Sequence, residues 1–249
     1  MSIIMRIEVA CKSDIGTREE QQDAYYADFS DNKAFAVVCD GMGGTEGGSA
    51  ASNAAVKKAK ELIASKKSSE AYQNFFFRAI DILDEEIVKL QKNESIREAG
   101  TTIVAVAIEN ENLYWLSVGD SRAYIIRGNE IVRVTRDHNY ALSLEQLTIE
   151  EAETVRKNEK KHRPDALISF IGIGGVRIYD INSKAFTLIA GDMILLTTDG
   201  LTNSLSDNDI LNTLLTSPDI TNGLDALLQL AAQKANGVQD NTTCVLIKV

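Results

Sequence analysis

The chain is poor in several residue types that usually mark a function. Only two of its 249 residues are histidine and three are cysteine, too few and too scattered for a zinc site with recognisable ligand spacing. Cys11, Cys39 and Cys244 each lie in an apolar, strand-like stretch, which reads as reduced core cysteine. There are two prolines, Pro164 and Pro218, and no Pro-, Gly- or Ser-rich linker, so one domain over 1–249 is expected. A basic surface is missing as well. Against 36 Asp and Glu stand 26 Lys and Arg, a net charge of −10, which argues against nucleic acid or an anionic membrane as partner. Any anion site must therefore be positive locally. No apolar run approaches membrane-spanning length, and the start MSIIMRIEVACKSD lacks a secretion-signal pattern. A soluble cytoplasmic protein is the expectation.

What the chain does have is aspartate where apolar strands meet turns. Asp40 lies in FAVVCDGMGG, Asp120 in YWLSVGDSR, Asp199 in MILLTTDG and Asp240 just before NTTCVLIKV. One such aspartate is ordinary. Four carboxylates gathered at one sheet end repel each other and lose hydration, and both effects raise their pKa values. Most have no Lys or Arg beside them in sequence, so metal is the economical counter-charge.

Strands are expected near Ile4–Ala10, Ala24–Phe29 and Ala34–Cys39. Two helices follow, from about Gly47 to Ser65 and from about Ala71 to Gln91. The second carries Phe76, Ile80, Leu83, Ile87 and Leu90 on one face at helical spacing. The runs TTIVAVAIE, NLYWLSV, RAYIIR and EIVRVT are joined by breaks too short for a parallel crossover, so they read as an antiparallel meander. From about 139 to 175 the chain is polar, with a short charged helix over Glu145–Lys157 and a Gly-rich end at Gly172–Gly175. A segment of that kind inside a compact domain is usually a lid or binding element. Strands return at Arg177–Tyr179, Ala185–Ile189 and Met193–Thr198. Ser206 offers an N-cap for a helix over Asp207–Leu215. A further helix covers about Leu224–Ala235, stopped by Gly237, before a last strand over Thr242–Val249. Strands grouped before and after helices, without regular alternation, predict an α+β fold: a β-sandwich of two antiparallel sheets with helices outside.

The glycine-rich turn after Asp40 follows a strand and opens a helix, the context of a nucleotide loop. The spacing fails: counting Gly-x-Gly-x-x-Gly from Gly41 and Gly43 puts Glu46 at the third glycine, where its charge would repel a pyrophosphate. No Gly-Lys-Ser/Thr follows. A cysteine-based phosphatase loop fails too, because six residues separate Cys11 from Arg18 and no histidine precedes the cysteine.

Five blocks in order, SDIGTREEQQDAYY, VVCDGMGG, GTTIVAVAI…LYWLSVGDSRAYIIR…VTRDHN, LLTTDGL and QDNTTCVLIKV, resemble the metal-dependent Ser/Thr protein phosphatases of type 2C, in a bacterial-type form. Each block alone is weak, but together they span nearly the whole chain. The resemblance implies a four-layer α-β-β-α sandwich with metals in a cleft at one end. It implies that Asp40 bridges two ions and that Gly41 offers its carbonyl to one of them. Asp199 and Asp240 complete the first ion's carboxylates, Asp120 with Asp199 holds a weaker third ion, Asp23 acts through water, and Arg18 grips the substrate phosphate. Catalytic roles then fall to Arg18, Asp40 and Asp199. Such oxygen ligands suit Mn²⁺ or Mg²⁺. The implied reaction is hydrolysis of phosphoserine or phosphothreonine on proteins by a hydroxide shared between two ions. The implied partners are a phosphorylated protein substrate and a Ser/Thr protein kinase.

The chain departs from the pattern in three places. Gln21-Gln22 stands where Asn-Glu is common, which removes a carboxylate near the second ion. Met42 replaces a histidine that protonates the leaving oxygen in other members. The lid ends in Leu167-Ile168-Ser169-Phe170-Ile171-Gly172 instead of carrying a hydroxyl residue and an arginine. The Gln21-Gln22 change and the lid motivate an alternative, a phosphatase-fold binding module with weak or no turnover. His138 reads as structural and His162 as a solvated lid residue.

Overall fold

The computed structural model describes residues 6–92, 96–145 and 164–249, apart from the side chains of Gly44, Thr45 and Glu145. Two antiparallel sheets face each other. One runs, in order, β1 (Glu8–Asp14), β12 (Thr242–Lys248), β11 (Met193–Thr197), β7 (Arg122–Arg127) and β8 (Glu130–Arg133). The other runs β10 (Phe186–Thr187), β6 (Asn112–Val118), β5 (Ile103–Glu109), β3 (Lys33–Met42) and β2 (Asp23–Phe29), with β4 (Gly100–Thr101) beside β3 and β9 (Asp180–Ile181) beside β6.

Period-two alternation sorts each strand's side chains between two layers. In β3, Phe35, Val37 and Cys39 pack under α1 (Gly44–Ala64) and α2 (Tyr72–Leu90), against Ala51, Ala55, Phe76 and Ile80. Ala34, Ala36 and Val38 point the other way, into the inter-sheet core with Val104, Val106, Ile194, Leu196, Val245 and Ile247. On the far side, Tyr124, Leu195 and Leu246 pack under α5 (Asp207–Thr216) and α6 (Ile220–Lys234). The result is the expected α-β-β-α sandwich. The apolar stripe of α2 is buried as expected at Phe76, Ile80, Leu83 and Ile87, with Leu90 partly covered. Ser206 caps α5 in a reciprocal pair with Asp209. A second cap, Asp219, starts α6 at Ile220, earlier than hydrophobic spacing indicated.

Three expectations need correction. The first strand lies at Glu8–Asp14 instead of Ile4–Ala10. It is a sheet edge paired with β12 from Glu8↔Lys248 to Asp14↔Thr242, where polar Lys12, Ser13 and Asp14 are tolerated. Arg177–Tyr179 is not a strand; the pairing falls on Asp180 and Ile181. The four-strand meander is really two hairpins in different sheets, since β6 pairs with β5 while β7 pairs with β8 and β11. The Gly119–Ser121 link therefore steps from one sheet to the other. Gly119 has φ 104°, and a Cβ there would lie 2.6 Å from Thr102 Cγ2, so only glycine fits this close passage.

Of the polar segment from about 139 to 175, the flap, residues 139–145 and 164–175 are described. Its two limbs join at the base, where Asn139 bridges Leu167, Tyr140 N–H donates to the Ala166 carbonyl and Ala141 N–H to that of Pro164. A short helix, α3 (Tyr140–Glu145), leads into it. Most of the expected helix at Glu145–Lys157, and His162, lie outside the described residues.

Candidate active site

The inward face of each central strand stays apolar until one end of the sandwich, and there it turns polar. Continuing the alternation past Val38, Val104, Ile125, Leu196 and Val245 brings Asp40, Thr102, Ser121, Thr198 and Thr243 to the same gap. The register sets Asp23 directly opposite Asp40, and like charges facing across a ladder are destabilising. The hydroxyls form a buried frame. Thr102 Oγ1 lies 2.7 Å from Ser121 Oγ and accepts the Asp40 N–H at 3.0 Å. Thr198 Oγ1 donates to Asp23 Oδ2 at 2.9 Å and accepts the Thr243 N–H at 3.0 Å.

Above this frame opens a cavity of about 660 Å³. Asp40, Gly41, Asp120, Asp199, Asp240 and Arg18 all line it, and Asp23 lies beneath. Asp40 ends the inward row of β3. At Gly41 a Cβ would collide with the carbonyls of Gly48 and Gln22, so the absence of a side chain lets α1 approach the end of β3. Asp199 opens the short helix α4 (Asp199–Thr202), and its Oδ2 accepts from Asn203 Nδ2 at 2.9 Å. Asp240 Oδ1 accepts the Asn241 N–H at 2.8 Å, and its Oδ2 accepts from exposed Arg18 at 2.7 Å. Asp120 sits on the sheet-to-sheet step. His138, fully buried, holds that step: its N–H donates to the Gly119 carbonyl at 2.9 Å, and its Nδ1 accepts the Gly119 N–H at 3.1 Å. His138 Nε2 faces Asp180 Oδ2 at 3.5 Å. The structural reading of His138 therefore holds. Met42 and Leu167 also line the cavity, and they continue with Asp120 and Asp199 into a neighbouring groove beside Arg122 and Asp137.

The carboxylates carry charge that the protein does not balance. Burial, then the charges of Asp23, Asp199 and Asp120, push the Asp40 carboxyl well up. Burial and the Asp240 charge raise Asp199. Asp23 is pushed up to about 7 by burial, with Asp199 and Asp240 adding to the effect, and the Thr198 and Thr243 hydroxyls do not offset it. Burial first, then Asp199 and Asp137, take Asp120 to about 7. Asp23 Oδ1 is buried without a hydrogen-bond partner among the described residues. Among the described residues, six acidic side chains, Glu19, Glu20, Asp40, Asp120, Asp199 and Asp240, line the cavity with one basic one, Arg18.

This donor set fits hard divalent cations: carboxylates and the Gly41 carbonyl, with neither histidine nor cysteine among the described lining residues. Among the described residues no three His, Cys, Asp or Glu side chains already close into a coordination sphere; they face one shared space instead. Sequence reasoning missed the hydroxyl frame of Thr102, Ser121, Thr198 and Thr243. It also missed Asn241, whose Oδ1 accepts the Gln22 N–H at 2.8 Å and whose Nδ2 donates to the Ile15 carbonyl at 2.9 Å, tying the Arg18 segment to β12. A readable signal existed: polar residues at inward positions of strands that are otherwise apolar.

The profile of the protein phosphatase 2C family matches residues 12–235. The chain belongs to the protein phosphatase 2C family. It is 28% identical over 250 residues to the protein phosphatase PhpP of Streptococcus pneumoniae, covering 98% of each chain. It superimposes on a serine/threonine phosphatase of S. agalactiae with a TM-score of 0.82 and 29% identity, over 98% of this chain and 99% of that one. It is similar also to the catalytic domain of the serine/threonine protein phosphatase PstP in complex with two manganese ions, with a TM-score of 0.76, 26% identity and 97% of each chain covered.

Proposed function

We propose that residues 1–249 form one metal-dependent protein serine/threonine phosphatase domain that hydrolyses phosphoserine and phosphothreonine on proteins. The observation that carries this reading is the charge of the cavity. Among the described residues the cavity sets six acids that repel a phosphate dianion against one base that attracts it, so the site takes a phosphorylated substrate only when cations are bound. The family and the relatives named above support the activity.

In this reading Asp40, Asp199, Asp240 and the Gly41 carbonyl hold two Mn²⁺ or Mg²⁺ ions, and Asp120 with Asp199 holds a weaker third. When bound, such ions supply Lewis acidity and ionise water near neutral pH. Asp23, beneath the cavity, orients a water through its unpartnered oxygen. Arg18 turns its planar fork from Asp240 to the substrate phosphate. Met42 lines the cavity with a thioether that has no proton to give, so it cannot protonate the leaving oxygen. Leu167 places the flap against the bound group. The substrates are products of a Ser/Thr protein kinase, the reaction class that makes these esters. Among the described residues no helix is long and apolar enough to cross a membrane. A cytoplasmic setting belongs to the same proposal and fits the three unpaired thiols.

The test is hydrolysis of a phosphothreonine peptide by the purified chain. Turnover should need Mn²⁺ and stop in EDTA, and Asp199→Asn should remove most of it. Full activity in EDTA would overturn the mechanism. Mn²⁺ binding without any turnover would favour a binding module, an alternative that the complete set of cavity aspartates argues against.

A further inference from the structure

Asp84 lies on the core-facing side of α2 and is 5% exposed. A carboxylate buried there is costly unless its oxygens are hydrogen-bonded. Among the described residues its hydrogen-bond donors come from the Gly-rich root of the flap. Oδ1 accepts the N–H groups of Gly172 at 2.7 Å and Gly174 at 3.3 Å, and Oδ2 accepts that of Gly175 at 2.5 Å. Gly172, Gly174 and Gly175 have φ of 104°, 82° and 120°. These conformations turn successive N–H groups towards one point, forming an anion nest around the side chain. Two helical turns further on, Gln91 Nε2 donates to the carbonyls of Gly172 at 2.7 Å and Ala99 at 2.6 Å.

The root is tied directly to the active site. Ile171, fully buried, exchanges both backbone hydrogen bonds with Thr101, at 3.0 and 2.8 Å. Thr101 Oγ1 donates to the Asp40 carbonyl at 2.9 Å, and the Thr102 N–H donates to the same oxygen at 2.8 Å. Phe170 packs over Gly100, where a Cβ would lie 2.8 Å from its ring. Three hydrogen-bonded steps thus link Asp84 to the backbone of Asp40: the nest, the Ile171–Thr101 bridge and the grip of Thr101 and Thr102 on the Asp40 carbonyl.

We propose that Asp84 is a positioning residue that fixes the flap's C-terminal root on α2 and, through Ile171 and Thr101, sets the backbone of Asp40 for cation binding. It rests on the reading of Asp40 as a cation ligand. Asp84→Ala removes all three acceptor contacts. Asp84→Asn keeps the shape but puts an NH₂ where one oxygen accepts.

The experiment combines amide hydrogen exchange with Mn²⁺ calorimetry on the full chain. Asp84→Ala is expected to speed exchange at Gly172–Gly175 and also at Thr101 and Thr102, and to weaken Mn²⁺ binding about tenfold, the low end of the usual effect of losing a supporting contact. Asp84→Asn should show the same pattern at smaller size. Faster exchange confined to Gly172–Gly175, with Thr102 protection and Mn²⁺ affinity unchanged, would overturn the proposal. Should Asp84→Ala fail to fold, Asp84→Asn decides alone. A wild-type chain that binds no Mn²⁺ would sink the reading of Asp40, while exchange at Thr102 would still decide the coupling.

Discussion

Asp84 and Asp23 are equally buried, each 5% exposed, and their surroundings are opposite. Asp84 receives three backbone N–H groups. Asp23 receives hydroxyl contact on one oxygen and, among the described residues, no partner on the other, with Asp40 directly across the ladder. Asp192, also buried, follows the Asp84 pattern: Arg127 meets it with two hydrogen bonds at 2.8 and 2.6 Å. Where a buried carboxylate lies away from the cavity, this protein supplies its donors. At the sheet end it supplies too few, and burial with mutual repulsion drives the carboxyls upward. A group left so unbalanced needs a counter-charge from outside the chain.

That contrast can be broken by substitution. The largest effect is expected at Asp199, proposed to hold the first cation and the weaker third: Asp199→Asn should lower kcat on a phosphothreonine peptide by about a hundredfold or more, in the range for loss of a main electrostatic contributor. Arg18 is exposed and meets the cavity only from its rim. Arg18→Ala should raise KM for the phosphopeptide about tenfold, the order of one charge-assisted hydrogen bond, with thermal stability within about 0.5 kcal/mol of wild type.

The same Asp→Asn change should have opposite signs at the two buried sites. In EDTA at pH 8, Asp23→Asn should stabilise the chain by about 1 kcal/mol by removing an unbalanced charge, and Asp84→Asn should destabilise it by about as much. Chemical denaturation of the two variants checks this. Equal signs would dissolve the contrast.

The pH profile of metal-free stability reads the same unbalanced groups without a substitution. Asp23 and Asp120 have folded pKa values raised to about 7, above an unfolded value of about 3.9. Their protonated forms are favoured in the fold. The stability they contribute is full below pH 4 and is lost as pH rises through 7. Melting in EDTA should therefore fall across this window, and saturating Mn²⁺ should flatten the decline. A metal-free profile that rises from pH 4 to pH 7 would contradict the assignment of these two groups.

Much of the site was legible because aspartate at the end of an apolar alternation is a local signal. Asp40, Asp120, Asp199, Asp240 and Arg18 meet in one cavity, as their motifs implied. The sandwich was legible for the same reason, since strand and helix periods are local. Sheet membership is not: β6 and β7 are separated by three residues and belong to different sheets, and only the passage of Gly119 against Thr102 shows why. Asp84 was hidden for a related reason. An acid in the helical run Asp84-Glu85-Glu86 reads as solvated, and the N–H groups that hold it lie 88 to 91 residues away in the chain.

The most direct measurement is the thermal melt of the wild-type chain at pH 8 with and without Mn²⁺, beside Asp40→Asn. The wild type should gain about 2.7 kcal/mol at a hundred times its Kd, and Asp40→Asn should lose most of that gain. A wild-type melt that Mn²⁺ leaves unmoved would contradict the claim that these carboxylates are held for a cation.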